Sequence, residues 1–117
     1  APRYVSWSPQ SRSHLIRIPA EKGEYSRIEL RSPDSMANPY LAYALLIQAG
    51  LEGIQKGLLP GKPLHVNLYT APEQVRAALK QLPQNLEDAI KLAGNSEFVS
   101  RILTKYMVDA YRKEISY

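Results

Sequence analysis

From Tyr25 to Arg31 the chain reads YSRIELR, and its apolar and charged positions alternate with a period of two. Drawn as a strand, it puts Tyr25, Arg27, Glu29 and Arg31 on one face, and Ser26, Ile28 and Leu30 on the other. The second face is expected to pack on a core through Ile28 and Leu30. Two shorter β-type segments, RYVSW and HLIRI, come earlier, and PAEKGE, with Pro19 and Gly23, reads as a loop. After Asp34 the spacing turns helical. Asn38 is placed to cap a helix whose first position is Pro39. That helix, YLAYALLIQAGLEGIQKGLL, is apolar nearly all round at first, which predicts burial on most sides. Pro60, Gly61 and Pro63 end it.

Thr70 to Glu73, TAPE, reads as a capping box opening a short helix to about Leu82. Asn85 is placed to cap the next helix, closed by Gly94, and Ser96 to cap the last. In that last helix Val99, Ile102, Leu103, Tyr106 and Ala110 share one apolar face. The pattern predicts an α+β fold: a few antiparallel strands, then about four or five helices. A strand-rich part spans 1–34 and a helical part 35–117.

The 117 residues suffice for one domain with a modest core. Apolar residues make up 44% and charged residues 22%, ordinary for a globular chain. The net charge of +4 is mild and scattered, without the basic runs of nucleic-acid-binding tails. The longest apolar run, Pro39 to Ile47, is about half a membrane span. No signal peptide is visible, and the absence of cysteine removes disulfides and thiolate metal sites and favours a cytoplasmic home.

The face with Arg27, Glu29 and Arg31 has two readings. Its neighbours stand about 6–7 Å apart, at roughly 3.3 Å per residue. A carboxylate can ligate a divalent cation, and a guanidinium fork can hold two phosphate or carboxylate oxygens. Such a face can therefore hold a metal-bound nucleotide phosphate. Equally, alternating charge on a strand is the ordinary pattern of a solvated face with weak ion pairs. Arg17, set among Leu15, Ile16 and Ile18, poses the same choice. It is either a phosphate ligand or a structural side chain, snorkelling to solvent or paired with Glu29 or Glu24. His14 and His65 are isolated and read as structural or exposed. Gly50, Gly53 and Gly57 suggest close helix packing or a weak helix end. No Gly-rich phosphate loop or nucleophilic triad can be assembled.

The ordered set APRYVSW, SRSHLIRIP, SRIELRSPD and ANPYLAYALLIQAGLEGI closely resembles the C-terminal part of type I glutamine synthetase. The resemblance is strong over about residues 1–60 and continues weakly through NLY and LPQNLEDAIKLAGNSEFV. It implies an enzyme that joins glutamate and ammonia with ATP through γ-glutamyl phosphate, using two divalent metals, Mg2+ or Mn2+. It also implies that the strands complete an active-site barrel and that subunits form a ring-based homo-oligomer in the cytoplasm, without nucleic-acid or membrane partners. By the resemblance Glu29 binds the metal on the nucleotide side. Arg31 contacts glutamate and the transferred phosphoryl group, and Arg12 and Arg17 contact ATP phosphates. Arg27 lies near the nucleotide. Arg31 and Arg12 are thus the catalytic candidates. Phosphoryl transfer of this kind rests on positioning and charge neutralisation and needs no side-chain nucleophile.

The chain departs from the pattern at Ser11, where the family has Asn, and at Ser35 and Met36. Tyr69 falls where one subgroup carries an adenylylated tyrosine, but TAPE differs from that subgroup, so Tyr69 is read as unmodified. The remaining metal ligands, the ammonia-site acid and an N-terminal domain are expected upstream of Ala1, and further helix beyond YRKEISY. One carboxylate and four arginines cannot hold two metals and two substrates. The expectation is a fragment, inactive alone, whose unpaired strand edges favour self-association. Rival readings are a γ-glutamyl ligase for another amine and a catalytically silent structural relative.

Overall fold

The structure, a computed structural model, describes residues 1–115. Ser116 and Tyr117, the end of the expected helical part, lie outside the described residues. The chain forms two compact units, Ala1–Ser35 with Pro60–Leu82, and Met36–Leu59 with the chain from Pro83 onward.

The first unit holds β1 (Trp7–Ser8), β2 (Ile16–Arg17) and β3 (Glu29–Leu30) in one sheet of order β1-β2-β3. The α+β class is borne out, with three strands and five helices among the described residues. The sheet is mixed, however. β2 and β3 are antiparallel, whereas β1 and β2 run parallel. Parallel neighbours usually need a long crossover. Here each strand has only two residues, and the loop 9–15 suffices because Ser8 folds it. Its fully buried Oγ accepts from the backbone N–H of Gln10 (3.3 Å) and of Ser11 (3.1 Å).

Residues 60–82 return onto these strands and are held by polar clips. His14 is fully buried, with Nδ1 2.8 Å from Ser6 Oγ and Nε2 2.9 Å from the Val66 carbonyl. A carbonyl only accepts, so Nε2 carries a proton, and in the neutral ring Nδ1 accepts from the Ser6 hydroxyl. Ser13 Oγ accepts from the N–H of Leu68 at 2.8 Å, and the Leu68 side chain is buried in the core. Trp7 Nε1 donates to the Gly61 carbonyl at 2.6 Å, and Tyr4 forms an antiparallel bridge with Gln81. Hydrogen bonds to buried groups thus secure a unit whose apolar core is thin. The structural reading of His14 holds.

Two strand expectations change. The alternating pattern gives only Glu29–Leu30 as strand, because Gly23–Tyr25 forms a 3-10 turn with Gly23 at φ 75°. Ile28 does not pack on a core and is 66% exposed. It lies just outside the two-residue ladder, on an edge strand paired to β2 alone.

The helix α1 (Pro39–Lys56) starts as expected, with Asn38 Oδ1 accepting from Tyr40 N–H (3.0 Å) and Leu41 N–H (3.3 Å). It ends at Gly57, in the left-handed region at φ 60°. Gly50 and Gly53 have open space around them, so they do not mark close packing. Contrary to expectation α1 is not buried on most sides, for Tyr40 is 84% and Ile54 79% exposed. Within its unit it contacts α4 (Glu97–Ile102) and leaves most of its circumference open.

The helix α2 (Glu73–Ala77) is shorter than TAPE implies. Thr70 Oγ1 donates to the Asn67 carbonyl instead of capping, and the chain from Lys80 to Leu82 is drawn off to pair with Arg3–Val5. The helix α3 (Leu86–Gly94) has the expected Asn85 cap on Asp88 N–H. Ser96 caps α4 and not the last helix. Leu103 is extended, and Thr104 Oγ1 accepts from Met107 N–H to open α5 (Lys105–Ile115). In the second unit, a cavity of about 310 Å³ is lined by Leu41, Leu45, Ile90, Val99, Val108 and Tyr111, among others. Among the described residues no helix is long and apolar enough to cross a membrane.

Candidate functional site

The register of β2 against β3 sets Arg17 opposite Glu29. One nitrogen, Arg17 Nη1, donates to both carboxylate oxygens, at 2.9 Å to Oε1 and 2.8 Å to Oε2. Arg27 approaches the same group along β3, with Nη2 3.0 Å and Nε 3.3 Å from Oε1. Its Nη1 also lies 3.8 Å from Glu21 Oε2. Arg17 Nε donates to the Gln10 carbonyl at 3.3 Å, which ties the β1–β2 loop to the cluster. The side chains are graded in exposure, 15% for Arg17, 27% for Glu29 and 47% for Arg27. Of the two readings of Arg17, the ion pair with Glu29 is therefore realised in this structure.

The Arg17 hydrogen bond is the main cause that holds the Glu29 carboxyl below its ordinary range. Partial burial opposes it, and Arg27 adds to it. Glu29 is therefore an anion at neutral pH, bracketed by two guanidinium groups.

The backbone N–H of Arg31 continues the sheet by donating to the Leu15 carbonyl at 2.9 Å. Its side-chain Nε is buried without a hydrogen-bond partner. A buried donor left unpaired typically costs about 1–3 kcal/mol, a defect that a ligand oxygen removes. Arg12 is exposed on the loop 9–15 and, among the described residues, forms no ion pair. The fold thus gathers Arg17, Arg27 and Glu29, places Arg31 two residues further along, and leaves Arg12 apart. Sequence reasoning missed Glu21 and the Gln10 carbonyl as members of the cluster. Neither lies in a periodic pattern that could have signalled it.

A divalent cation takes about six oxygen ligands. Both oxygens of Glu29 already accept from Arg17, and among the described residues no three His, Asp or Glu side chains converge. As they stand, these residues do not form a metal site.

A model described as "Glutamine synthetase, catalytic domain" matches residues 1–114. The chain belongs to this family. It is 46% identical over 113 residues to glutamine synthetase of Methanosarcina mazei, covering 95% of this chain and 25% of that protein. It is 39% identical to that of Clostridium saccharobutylicum over 113 residues, covering 95% of this chain and 26% of that protein. The solved structure "GmaS/ADP complex-Conformation 1" matches with a TM-score of 0.78 and 34% identity, over 97% of this chain and 25% of that one. The chain thus spans about a quarter of the length of the glutamine synthetases it matches. The region from Ser11 to Arg31, with the whole Arg17–Glu29–Arg27 cluster, falls inside the matched catalytic domain.

Proposed function

We propose that this chain is a C-terminal portion of the catalytic domain of an ATP-dependent glutamate–ammonia ligase, and that its strands supply part of the phosphate-handling surface. The observation that carries the reading is the pairing of Arg17 and Arg27 on one side-chain carboxylate, Glu29, within a glutamine synthetase catalytic domain. In that role Arg12, Arg17 and Arg27 face the phosphates of ATP, and Arg31 faces glutamate and the phosphoryl group in transfer. The partnerless Nε of Arg31 supports this, since it is a donor with no acceptor of its own. The similar solved structure is an ADP complex, which favours a nucleotide as the ligand here. Ammonia is taken as the amine because the matched curated relatives are glutamine synthetases.

Chemically, these residues can bind and orient. A guanidinium neutralises phosphoryl charge as it develops and holds the attacking group in line with the leaving oxygen. Glu29 sets the direction in which the Arg17 and Arg27 forks point. Mg2+ or Mn2+ is the cofactor this reading implies for Glu29, with further ligands supplied by the rest of a full-length enzyme. The described residues do not fit such a site alone, so no step is routed through it. The chain by itself is expected to be inactive, and the homo-oligomer and cytoplasmic location belong to the same proposal.

The test is glutamine formation by a full-length polypeptide carrying this segment. Glu29→Ala is expected to abolish synthesis, and Arg31→Ala to cut turnover at least a hundredfold with the far-ultraviolet spectrum retained. Near-normal turnover in either variant would refute the assigned roles.

A further inference from the structure

Within the first unit a second group of cations lines a small hollow. The antiparallel bridge between Tyr4 and Gln81, with Val5 N–H on the Lys80 carbonyl and Leu82 N–H on that of Arg3, brings the start of the chain against the segment that follows α2. Arg3, Tyr4 and Arg76 thereby meet Ser13, Leu68 and Tyr69 around a cavity of about 220 Å³. Three features mark it as built. Leu68 and Ser13 are buried and joined by the Leu68 N–H to Ser13 Oγ bond. Tyr69 is fixed by its N–H on Asn67 Oδ1 at 2.9 Å. Arg76 Nε is buried and has no hydrogen-bond partner.

The lining has two guanidinium groups, two phenols and a hydroxyl, and no carboxylate. Among the described residues neither Arg3 nor Arg76 forms an ion pair. A hollow rich in donors, lined by two guanidinium groups of which Arg76 has a buried, partnerless Nε–H, is complementary to an oxyanion. Its volume is below that of usual small-molecule pockets and suits one phosphate-sized group, not a whole nucleotide. We infer that the Arg3–Arg76 cavity is a binding site for a phosphate-sized oxyanion, separate from the Arg17–Glu29–Arg27 cluster. Free phosphate and the terminal phosphate of a small monoester share this chemistry.

The experiment is a titration of the chain with inorganic phosphate at low ionic strength, followed by amide and Arg Nε–H NMR shifts. Chloride at matched ionic strength is the control. Saturable shifts at Leu68, Tyr69 and Arg76 Nε–H are expected with phosphate and not with chloride. Arg76→Gln is expected to weaken binding at least tenfold, and the exposed Arg3→Gln, which leaves the buried groups in place, at least threefold. Arg27→Gln should leave it within twofold. Glycerol 3-phosphate matching inorganic phosphate supports a monoester ligand, and weaker binding supports the free ion. Non-saturating shifts would overturn the inference. So would an affinity unchanged in Arg3→Gln and Arg76→Gln, or lost in Arg27→Gln.

Discussion

Arg17 Nη1 lies within 2.9 Å of both carboxylate oxygens of Glu29, across the β2–β3 ladder. A single nitrogen serves both oxygens, while Nε of the same guanidinium donates to the Gln10 carbonyl. The pair thus ties the β1–β2 loop, β2 and β3 together. Its electrostatic signature is the depressed pKa of Glu29.

This gives the first prediction. Because the folded-state pKa of Glu29 is depressed, the pair stabilises the fold above the ordinary glutamate range. That contribution is lost as pH falls through the folded value. Carboxyl-carbon NMR titration of Glu29 is expected to give a midpoint below that of an unstructured glutamate. Arg17→Gln should raise it more than Arg27→Gln does, since the Arg17 bond is the larger cause. An equal or reversed order would contradict the geometry.

A second concerns His14. Its substitution by alanine removes a buried donor from the Val66 carbonyl and leaves a void beside Ser6. The expected loss is about 2–3 kcal/mol, from the two hydrogen bonds of the ring together with the packing of a fully buried side chain. Urea unfolding measures it, and a change under about 0.5 kcal/mol, the range of ordinary surface substitutions, would contradict the clip.

A third separates one helix from two. If residues 97–115 were a single helix, Thr104→Ala would stabilise it, since alanine is the better helix former. With Thr104 accepting from Met107 N–H as a cap, the same change is expected to cost about 1 kcal/mol and to speed exchange of the Met107 amide. The sign of the change decides.

A fourth concerns Ile28. At 66% exposed, Ile28→Thr should shift stability in this chain by less than about 0.5 kcal/mol in thermal or urea unfolding. A loss above about 1 kcal/mol would show the side chain buried.

Much of this was legible in the sequence where the signal was local. Asn38 with Pro39, Asn85 and Ser96 each declared a helix start through side-chain chemistry that acts over three residues. The Arg-Glu-Arg alternation located the cluster because strand period alone puts Arg27 and Glu29 together. What the sequence concealed depends on distant pairing. Arg17 chose Glu29 over Glu24 through the β2–β3 register. α2 stopped early because Lys80–Leu82 pairs with the chain's beginning, some seventy-five residues away in sequence. The burial predicted for Ile28 and α1 failed for another reason. Apolar pattern reports which face seeks a partner and not whether this stretch of chain contains one.

The Ser8 hydroxyl sets more than a turn. By cinching the loop 9–15 it fixes where the Gln10 carbonyl stands, and so where that oxygen meets Arg17 Nε. One residue added to the loop would draw this carbonyl off the guanidinium while leaving Glu29 opposite Arg17, because that register belongs to the second and third strands. A hydroxyl with no charge of its own thus steadies one flank of a charged cluster.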